Sequence, residues 1–437
     1  MIVWMWLACA GKKVQVETFE TTWTVINETF PYEDFNGTDW NQVHETYLPA
    51  AKKAKTADEL RPILNEMLSE LNVSHMGVIP LDEFLDDKAS NDAQDVSSTE
   101  GDDSQISEES NISDVTEQGW VGLSARWVEE KLVVTAVDGQ DGVQMGWTID
   151  KIDDVTVASV TERFTDPRKR SFQLGRFAEN YFYGDVNDTM TIEFLDHDGV
   201  VQEKSLVYEK RHILTTGKTF NLPSTGVSFV YEQVEPGIEL ISFSSFMMPI
   251  REPMIEAFEQ IAISQPQGLI VDLRGNPGGL IALGQNLSGY LVAEKGMDLG
   301  EQISRDSNVF LVIHPRPASI RYGGPVAFLV DEISASTSEV LAGGLQELGR
   351  IEVFGQQTAG KALPSGVREL PNGDRLQYVL ADLKTPSGHP YEGDGVQPDH
   401  IVPRTLADYV QGVDPELTAA IKWIKEQSTT KEIQETE

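Results

Sequence analysis

Apolar positions recur along this 437-residue chain with two different periods. Helical spacing in three early segments, residues 22–30, 39–54 and 57–71, predicts a helical N-terminal domain over residues 12–85. Residues 119–210 instead form short β-branched runs separated by turns such as Asp-Gly, which predicts a small β domain.

Strands and helices alternate from about residue 226 onward, which predicts an α/β core over residues 211–426. Three of its strands end in loops, which span residues 274–279, 331–337 and 355–361. Ligands bind beyond the carboxyl ends of the strands in a parallel sheet. We therefore predict that the three loops converge on one edge of the sheet and form one site.

The remaining segments complete a multi-domain α/β architecture. Residues 86–118 are acidic, rich in serine and without aromatic residues, so they predict a disordered linker. Asn372-Gly373 between two alternating runs predicts a β-hairpin. The chain then closes with a predicted amphipathic helix over residues 415–426 and a polar tail over residues 427–437.

Composition and the N-terminus limit the possible partners and location. The net charge of −36, with 70 acidic against 34 basic residues, argues against nucleic-acid binding. The single cysteine, Cys9, follows an apolar run and is flanked by small residues, as at the end of a bacterial lipoprotein signal. The run is short and lacks a basic start, which a start codon upstream of Met1 would explain. We expect residues 1–11 to be a lipoprotein signal remnant and the protein to lie in a bacterial cell envelope, periplasmic or lipid-anchored.

Two motifs in the core admit more than one interpretation. Residues 355–362 approach a phosphate-binding loop, but Ala362 replaces its Ser or Thr and Pro364 stops the helix that must follow Lys361. Ser336 with Glu339 fits a helix capping box, which spacing alone favours. A serine at a helix start is also placed for catalysis, because free N–H groups there can stabilise an oxyanion.

Three motifs in the core resemble those of one enzyme family. Residues 272–279 (DLRGNPGG) are similar to the D-L-R-x-N-P-G-G signature of the C-terminal processing, or tail-specific, peptidases of serine peptidase family S41. Residues 334–339 (SASTSE) and 358–361 (TAGK) are similar to that family's serine and lysine segments. The resemblance implies a ClpP/crotonase-like peptidase core, with Ser336 as the nucleophile and Lys361 as its base. Backbone N–H groups of Gly278, Gly279 and Thr337 would form the oxyanion hole.

A second base system is also present. The Ser–Lys members carry a glutamine four residues after the lysine, where this chain has Ser365. Residues 71–75 end in a Ser-His pair that resembles the tricorn-type branch, in which a histidine is the base and a glutamate assists it. Those positions correspond to His75 and Glu392. Both systems stay open, and the sequence favours Lys361.

The β domain resembles a PDZ domain. Residues 146–154 are similar to the PDZ G-D-x-I-x-x-I-D/N-G run, with Trp147 and Asp154 as departures. Val121, Gly122 and Leu123 resemble the loop whose N–H groups capture a peptide's C-terminal carboxylate. We therefore predict an exported endopeptidase that cleaves proteins with apolar C-termini near those ends. The alternatives are a non-catalytic ligand- or peptide-binding protein on this scaffold and a hydrolase of small esters.

No cofactor or metal is predicted. The histidines outside the candidate site show no ligand spacing along the chain; they lie at positions 44, 197, 212, 314, 389 and 400.

Overall fold

A computed structural model describes residues 2–80, 117–140, 142–164, 167–212, 214–216 and 226–436. The N-terminal region contains three helices and one short strand: α1 (Ile2–Thr29), α2 (Trp40–Ala51), α3 (Ala57–Ser69) and β1 (Gly77–Ile79). Caps fix two of these helix starts, because Asp39 accepts the N–H of Gln42 and Thr56 accepts that of Glu59. No helix in these described ranges is both long and apolar enough to cross a membrane.

The acidic segment predicted at residues 86–118 lies outside the described residues except for its last two, which open the next strand. The β domain that follows contains strands and two helices: β2 (Glu117–Trp120), β3 (Leu123–Val128), β4 (Lys131–Val137), β5 (Thr148–Ile152), β6 (Val155–Thr156), α4 (Val157–Thr161), α5 (Pro167–Tyr181), β7 (Tyr183–Gly184), β8 (Thr189–Leu195), β9 (Val201–Val207) and β10 (Glu209–His212). Its main sheet has the order β3-β4-β5-β8-β9, which leaves β3 at an edge.

The sequence did not predict α5. Its apolar positions are interrupted by charged residues and by Gly175, which weakens the helical signal. Packing compensates, because Leu174 and Ala178 are fully buried and α5 lies against β3.

The core follows the predicted alternation of strands and helices. Its elements are β11 (Leu214–Thr215), β12 (Gly226–Val227), β13 (Phe229–Glu235), β14 (Ile238–Phe243), α6 (Arg251–Ser264), β15 (Gly268–Asp272), α7 (Ile281–Leu291), β16 (Asp298–Ile303), β17 (Asn308–Val312), β18 (Val326–Val330), α8 (Thr337–Glu347), β19 (Glu352–Gly355), β20 (Ser365–Glu369), β21 (Arg375–Val379), β22 (Asp382–Lys384), β23 (His400–Ile401), α9 (Leu406–Val410) and α10 (Pro415–Thr436).

Six strands of the core form one sheet in the order β13-β14-β15-β18-β19-β23. β13 pairs antiparallel with β14, and the other pairs are parallel. Central strand β18 is buried along its whole length, as its apolar sequence predicts. The carboxyl ends of β15, β18 and β19 therefore lie side by side.

One feature of the core differs from the sequence prediction, and another gains a partner that the sequence did not predict. The polar tail expected at residues 427–437 continues the last helix, since α10 extends to Thr436 with no glycine or proline to stop it. The predicted hairpin is present as β20 and β21, and β1 of the N-terminal region pairs with β21. The hairpin also supplies apolar side chains to the core of the helical region, including Leu370 and Leu376. This packing fixes the segment after α3 against the α/β core.

Candidate active site

Ser336 occupies a sharp turn between strand β18 and helix α8. Its backbone has φ 55° and ψ −119°, a conformation that is strained for a residue with a side chain. Ser336 is half-buried, whereas its neighbours Ala335 and Thr337 are buried. The turn therefore presents the serine side chain at the surface of a packed loop. The capping box that the sequence predicts is present at the same position.

The three predicted loops converge, as expected from the parallel sheet. Ala335 N donates to Asn276 O at 3.1 Å, which joins residues 331–337 to residues 274–279. Ser336 N donates to Lys361 O at 2.8 Å and Ala359 N donates to Ser334 O at 3.0 Å, which joins residues 331–337 to residues 355–361. The serine turn is therefore held between the other two loops.

Glycine is required beside Ser336. Gly278 and Gly279 have φ values of 98° and 138°, and a Cβ atom on Gly278 would lie 2.6 Å from that of Ser336. The Gly278 N–H already donates to Asn276 Oδ1 at 2.9 Å. Within the described residues, neither Gly279 N nor Thr337 N donates a hydrogen bond. These two N–H groups are therefore the available pair for an oxyanion at this helix start.

Glu339 ties the serine turn to the lysine-bearing loop. Its Oε2 accepts from the N–H groups of Ser336 and Lys361, both at 3.0 Å. Its Oε1 accepts from Thr358 Oγ1 at 2.5 Å and from Gly360 N at 2.7 Å. Burial raises the pKa of Glu339 to about 7, while these four hydrogen bonds favour the ionised form. The sequence predicts Glu339 only as a partner of Ser336 in the capping box.

His75 and Glu392 are connected through Ser74, a residue that sequence analysis did not single out. Ser74 Oγ lies 2.7 Å from His75 Nδ1 and donates to Glu392 Oε2 at 2.9 Å. A hydroxyl has only one proton, so His75 Nδ1–H must be the donor to Ser74. His75 Nε2 then carries a lone pair and can accept a proton. The only sequence signal for Ser74 was its position next to His75.

The same cluster contacts the lysine loop. Glu392 Oε2 also accepts from Ala362 N, next to Lys361, at 3.0 Å. The Glu392 carboxylate therefore contacts the residue after Lys361, and the Lys361 carbonyl accepts from Ser336 N. The four predicted catalytic positions, which are Ser336, Lys361, His75 and Glu392, thus lie in one region of the molecule.

The two candidate bases have different surroundings. Burial, with the nearby Lys361 charge, lowers the pKa of His75 to about 4, so its imidazole is neutral at physiological pH. The Lys361 Nζ atom lies 3.4 Å from the ring centroid of Phe172 on α5. An aromatic face attracts a cation, so this contact favours the charged form of lysine, which cannot accept a proton.

The predicted carboxylate-binding residues lie away from this site, at the start of edge strand β3. Val121 and Leu123 are buried in the core of the β domain, so only their backbone groups could contact a ligand. Val121 N already donates to Phe182 O at 3.1 Å. Gly122 has φ 72°, and its carbonyl accepts from Asp138 N at 2.8 Å.

A cavity of about 370 Å³ lies between the β domain and the core. Trp127 and Glu129, at the far end of β3, and Ser171 on α5 form one wall. Glu332 and Ala359, from the serine and lysine loops, form the other. The cavity therefore connects the end of β3 with the loops around Ser336.

Comparison with known proteins identifies similarities over most of the chain. Residues 237–402 match the model of peptidase family S41, and residues 16–69 match that of the tricorn protease C1 domain. A carboxyl-terminal-processing protease of Synechocystis is 23% identical over 398 residues, which cover 90% of this chain and 82% of that protein. The chloroplastic C-terminal processing peptidase of Tetradesmus obliquus is 24% identical over 408 residues, covering 90% of this chain and 79% of that protein.

Solved structures support the same fold. The photosystem II D1 C-terminal processing protease aligns with a TM-score of 0.56 at 20% identity, covering 91% of this chain and 96% of that one. The tricorn protease aligns with a TM-score of 0.51 at 16% identity, covering 95% of this chain but 37% of the longer tricorn chain.

Proposed function

We propose that this serine-type peptidase, whose residues 237–402 match the model of peptidase family S41, cleaves proteins near their C-termini through an acyl-enzyme on Ser336. The observation that carries this proposal is the placement of Ser336 on a strained turn, beside two backbone N–H groups without acceptors in the described part of the chain and hydrogen-bonded through its own N–H to the lysine loop. A serine that serves only as a helix cap does not require this conformation.

In the proposed acylation step, Ser336 Oγ attacks the carbonyl carbon of the scissile peptide bond and its proton passes to His75 Nε2. The N–H groups of Gly279 and Thr337 stabilise the oxyanion that forms. The carbon–nitrogen bond then breaks, and the leaving amine takes the proton from His75. Water hydrolyses the acyl ester by the reverse proton transfers, which regenerates the Ser336 hydroxyl.

We favour His75 over Lys361 as the base, in contrast to the sequence prediction. Three observations support this choice: the neutral imidazole, the Ser74 bridge that leaves Nε2 unprotonated, and the contact of Lys361 with Phe172. Glu392 would stabilise the imidazolium through Ser74, since its carboxylate accepts the Ser74 hydroxyl. Lys361 would act as a fixed cation near the site.

Tail recruitment is proposed for the β domain. A substrate C-terminus bound at residues 121–123 would run antiparallel along β3, toward Trp127 and Glu129, on the side where β3 has no strand partner among the described residues. The cavity at that end opens onto the serine and lysine loops. The substrate class would therefore be polypeptides with accessible, apolar C-terminal residues.

A free C-terminal carboxylate should accordingly improve cleavage. We expect a peptide with an apolar C-terminus to show a KM at least tenfold lower than its C-terminal amide. The carboxylate accepts loop N–H groups with two charged oxygens, whereas the amide offers one neutral acceptor and replaces the other with an NH2 donor. The kcat values of the two peptides should agree within about threefold, since the scissile bond is unchanged. Equal KM values would reject carboxylate capture at residues 121–123 while leaving the peptidase assignment intact.

Location in the cell envelope is proposed from the residues around Cys9 alone. If Cys9 carries a lipid anchor, the protein should incorporate labelled palmitate in a bacterial host, because lipoprotein cysteines become acylated. The Cys9→Ala variant, expressed at the same level, should incorporate none. Equal labelling of both proteins would exclude Cys9 as the lipidated residue.

A further inference from the structure

One buried carboxylate organises two of the three loops at the site. Asp331 is fully buried at the start of the serine loop. Its Oδ1 accepts from Gly275 N at 2.9 Å, Ile333 N at 3.0 Å and Ser334 N at 3.1 Å. A single oxygen atom therefore holds the glycine loop and the serine loop together.

The other oxygen of Asp331 is held by the β domain. Asp331 Oδ2 accepts from Arg126 Nε at 3.0 Å, and Arg126 lies on β3, outside the segment that matches family S41. Arg404 Nη2 is farther away, at 3.9 Å. Burial opposes the charge of Asp331, but Arg126 and then Arg404 outweigh it and lower the pKa of this carboxyl.

Close packing surrounds this ion pair. A Cβ atom on Gly275 would lie 2.8 Å from Glu179 Oε1 and 2.9 Å from Arg126 Nη2. A Cβ atom on Gly175 of α5 would lie 2.3 Å from Ile333 Cδ1. The β domain thus rests directly on both loops, and any movement that separates it from the core would remove Arg126 from Asp331.

We propose that Arg126 is a positioning residue for the peptidase reaction, an inference that rests on the proposed role of Ser336. Its guanidinium keeps Asp331 ionised and oriented, so that the three loop amides stay bound. Those amides set the position of Ser336 relative to the Gly279 N–H group. Docking of the β domain on the core thereby completes the catalytic geometry.

Substitution of Arg126 tests this role in the full-length protein. Arg126→Met should lower kcat at least 100-fold on a peptide substrate and change KM less than threefold, because the reaction geometry is lost while the tail site is kept. Arg126→Lys retains the cation and should recover kcat to within about tenfold of wild type. An unchanged kcat in Arg126→Met would overturn the proposal.

A second ion pair provides a matched control. Arg61 and Asp374 are 3.0 Å apart, as are Arg126 and Asp331. Both arginine side chains are largely buried, at 18% and 16% exposure, and both aspartates are buried, at 1% and 0%. Arg61→Met removes a comparable buried pair between α3 and the turn that joins β20 to β21, and its kcat should stay within twofold of wild type. Comparable losses of kcat in both arginine variants would mean that general destabilisation explains the effect.

The buried carboxylate could prevent folding once its partner is removed, and a double variant avoids this problem. Arg126→Met with Asp331→Asn removes both charges of this pair, and Glu179, which also contacts Arg126 at 3.5 Å, keeps Arg176 at 3.6 Å. If the two residues act as a unit, its kcat should be no lower than that of Arg126→Met alone. Additive losses in the double variant would contradict a shared role.

Hydrogen exchange gives a readout that is independent of peptidase activity. Amides of residues 274–279 and 331–337 should exchange at least tenfold faster in Arg126→Met than in wild type. Their exchange rates should not change in Arg61→Met. Faster exchange without any wild-type cleavage would reject the proposed function, and with it a role in the reaction, but would show that Arg126 orders the two loops. Normal cleavage by the wild type, with exchange and kcat unchanged in Arg126→Met, would keep the proposed function and reject the role of Arg126.

Discussion

Replacing Ser336 with alanine should lower kcat by about 10⁴- to 10⁶-fold, the usual cost of losing a serine nucleophile. The variant should still fold and bind peptides, because the backbone bonds of Ser336 to Lys361 and Glu339 do not involve its hydroxyl. The measurement is steady-state cleavage of an unstructured peptide, with covalent labelling by a fluorophosphonate as an independent test of the nucleophile.

Two further variants sharpen this prediction. Ser336→Gly should be equally inactive but more stable than Ser336→Ala by about 1 kcal/mol, since glycine adopts a φ of 55° without strain. Ser365→Ala is the control, because Ser365 accepts from Gln377 on strand β21 and takes no part in the proposed reaction. Its kcat should remain within about threefold of wild type.

The outcome has two clear alternatives. Undiminished cleavage by Ser336→Ala would show that the nucleophile is misassigned. Wild-type protein that binds peptides but neither cleaves them nor reacts with the label would identify a non-catalytic binding protein on this scaffold.

Replacing His75 with alanine should lower kcat by about 10⁴-fold, whereas Lys361→Met should lower kcat by about 100-fold or less. The difference follows from proton chemistry: the neutral imidazole can accept the Ser336 proton, whereas the Phe172 contact of Lys361 favours the cation, a form that cannot accept one. Both variants should be measured on the same peptide with their thermal unfolding recorded alongside. A larger loss in Lys361→Met than in His75→Ala would restore the Ser–Lys assignment.

The pH dependence separates the two bases independently. The pKa of His75 is lowered to about 4 in the folded protein, so the base is deprotonated above that pH. As the pH falls, kcat/KM should therefore stay constant and decline only near pH 4, where the free enzyme becomes protonated on His75. A lysine base, with an ordinary pKa near ~10.4 that would have to be lowered, would instead place the decline at much higher pH.

Lys361→Met offers a matched check on this profile. The charge of Lys361 contributes to the lowered pKa of His75, so its removal should shift the acidic decline of kcat/KM to higher pH. The shift should be absent in Lys422→Met, which removes an exposed lysine on α10. An unshifted profile in Lys361→Met would indicate that the two side chains do not interact.

Much of the site was predictable because its determinants are local. The apolar period of strands β15, β18 and β19 specifies a parallel sheet, and their carboxyl ends bring three loops to one edge whatever the details of packing. The family motifs then identified Ser336 and both candidate bases. The strained backbone of Ser336 could not be predicted, since it depends on the close approach of Gly278.

By itself, the sequence determined the alternation of strands and helices in the core and the convergence of its three loops, and its motifs indicated Ser336, but it did not predict α5. Three contacts appear only in the tertiary structure. Ser74 lies between His75 and Glu392, and Lys361 contacts Phe172. Arg126 donates a hydrogen bond to Asp331. Ser74 and Glu392 are 318 positions apart, and Arg126 and Asp331 are 205 apart. Spacing along the chain carries no information about such pairs, because they meet only when separate regions pack around one carboxylate.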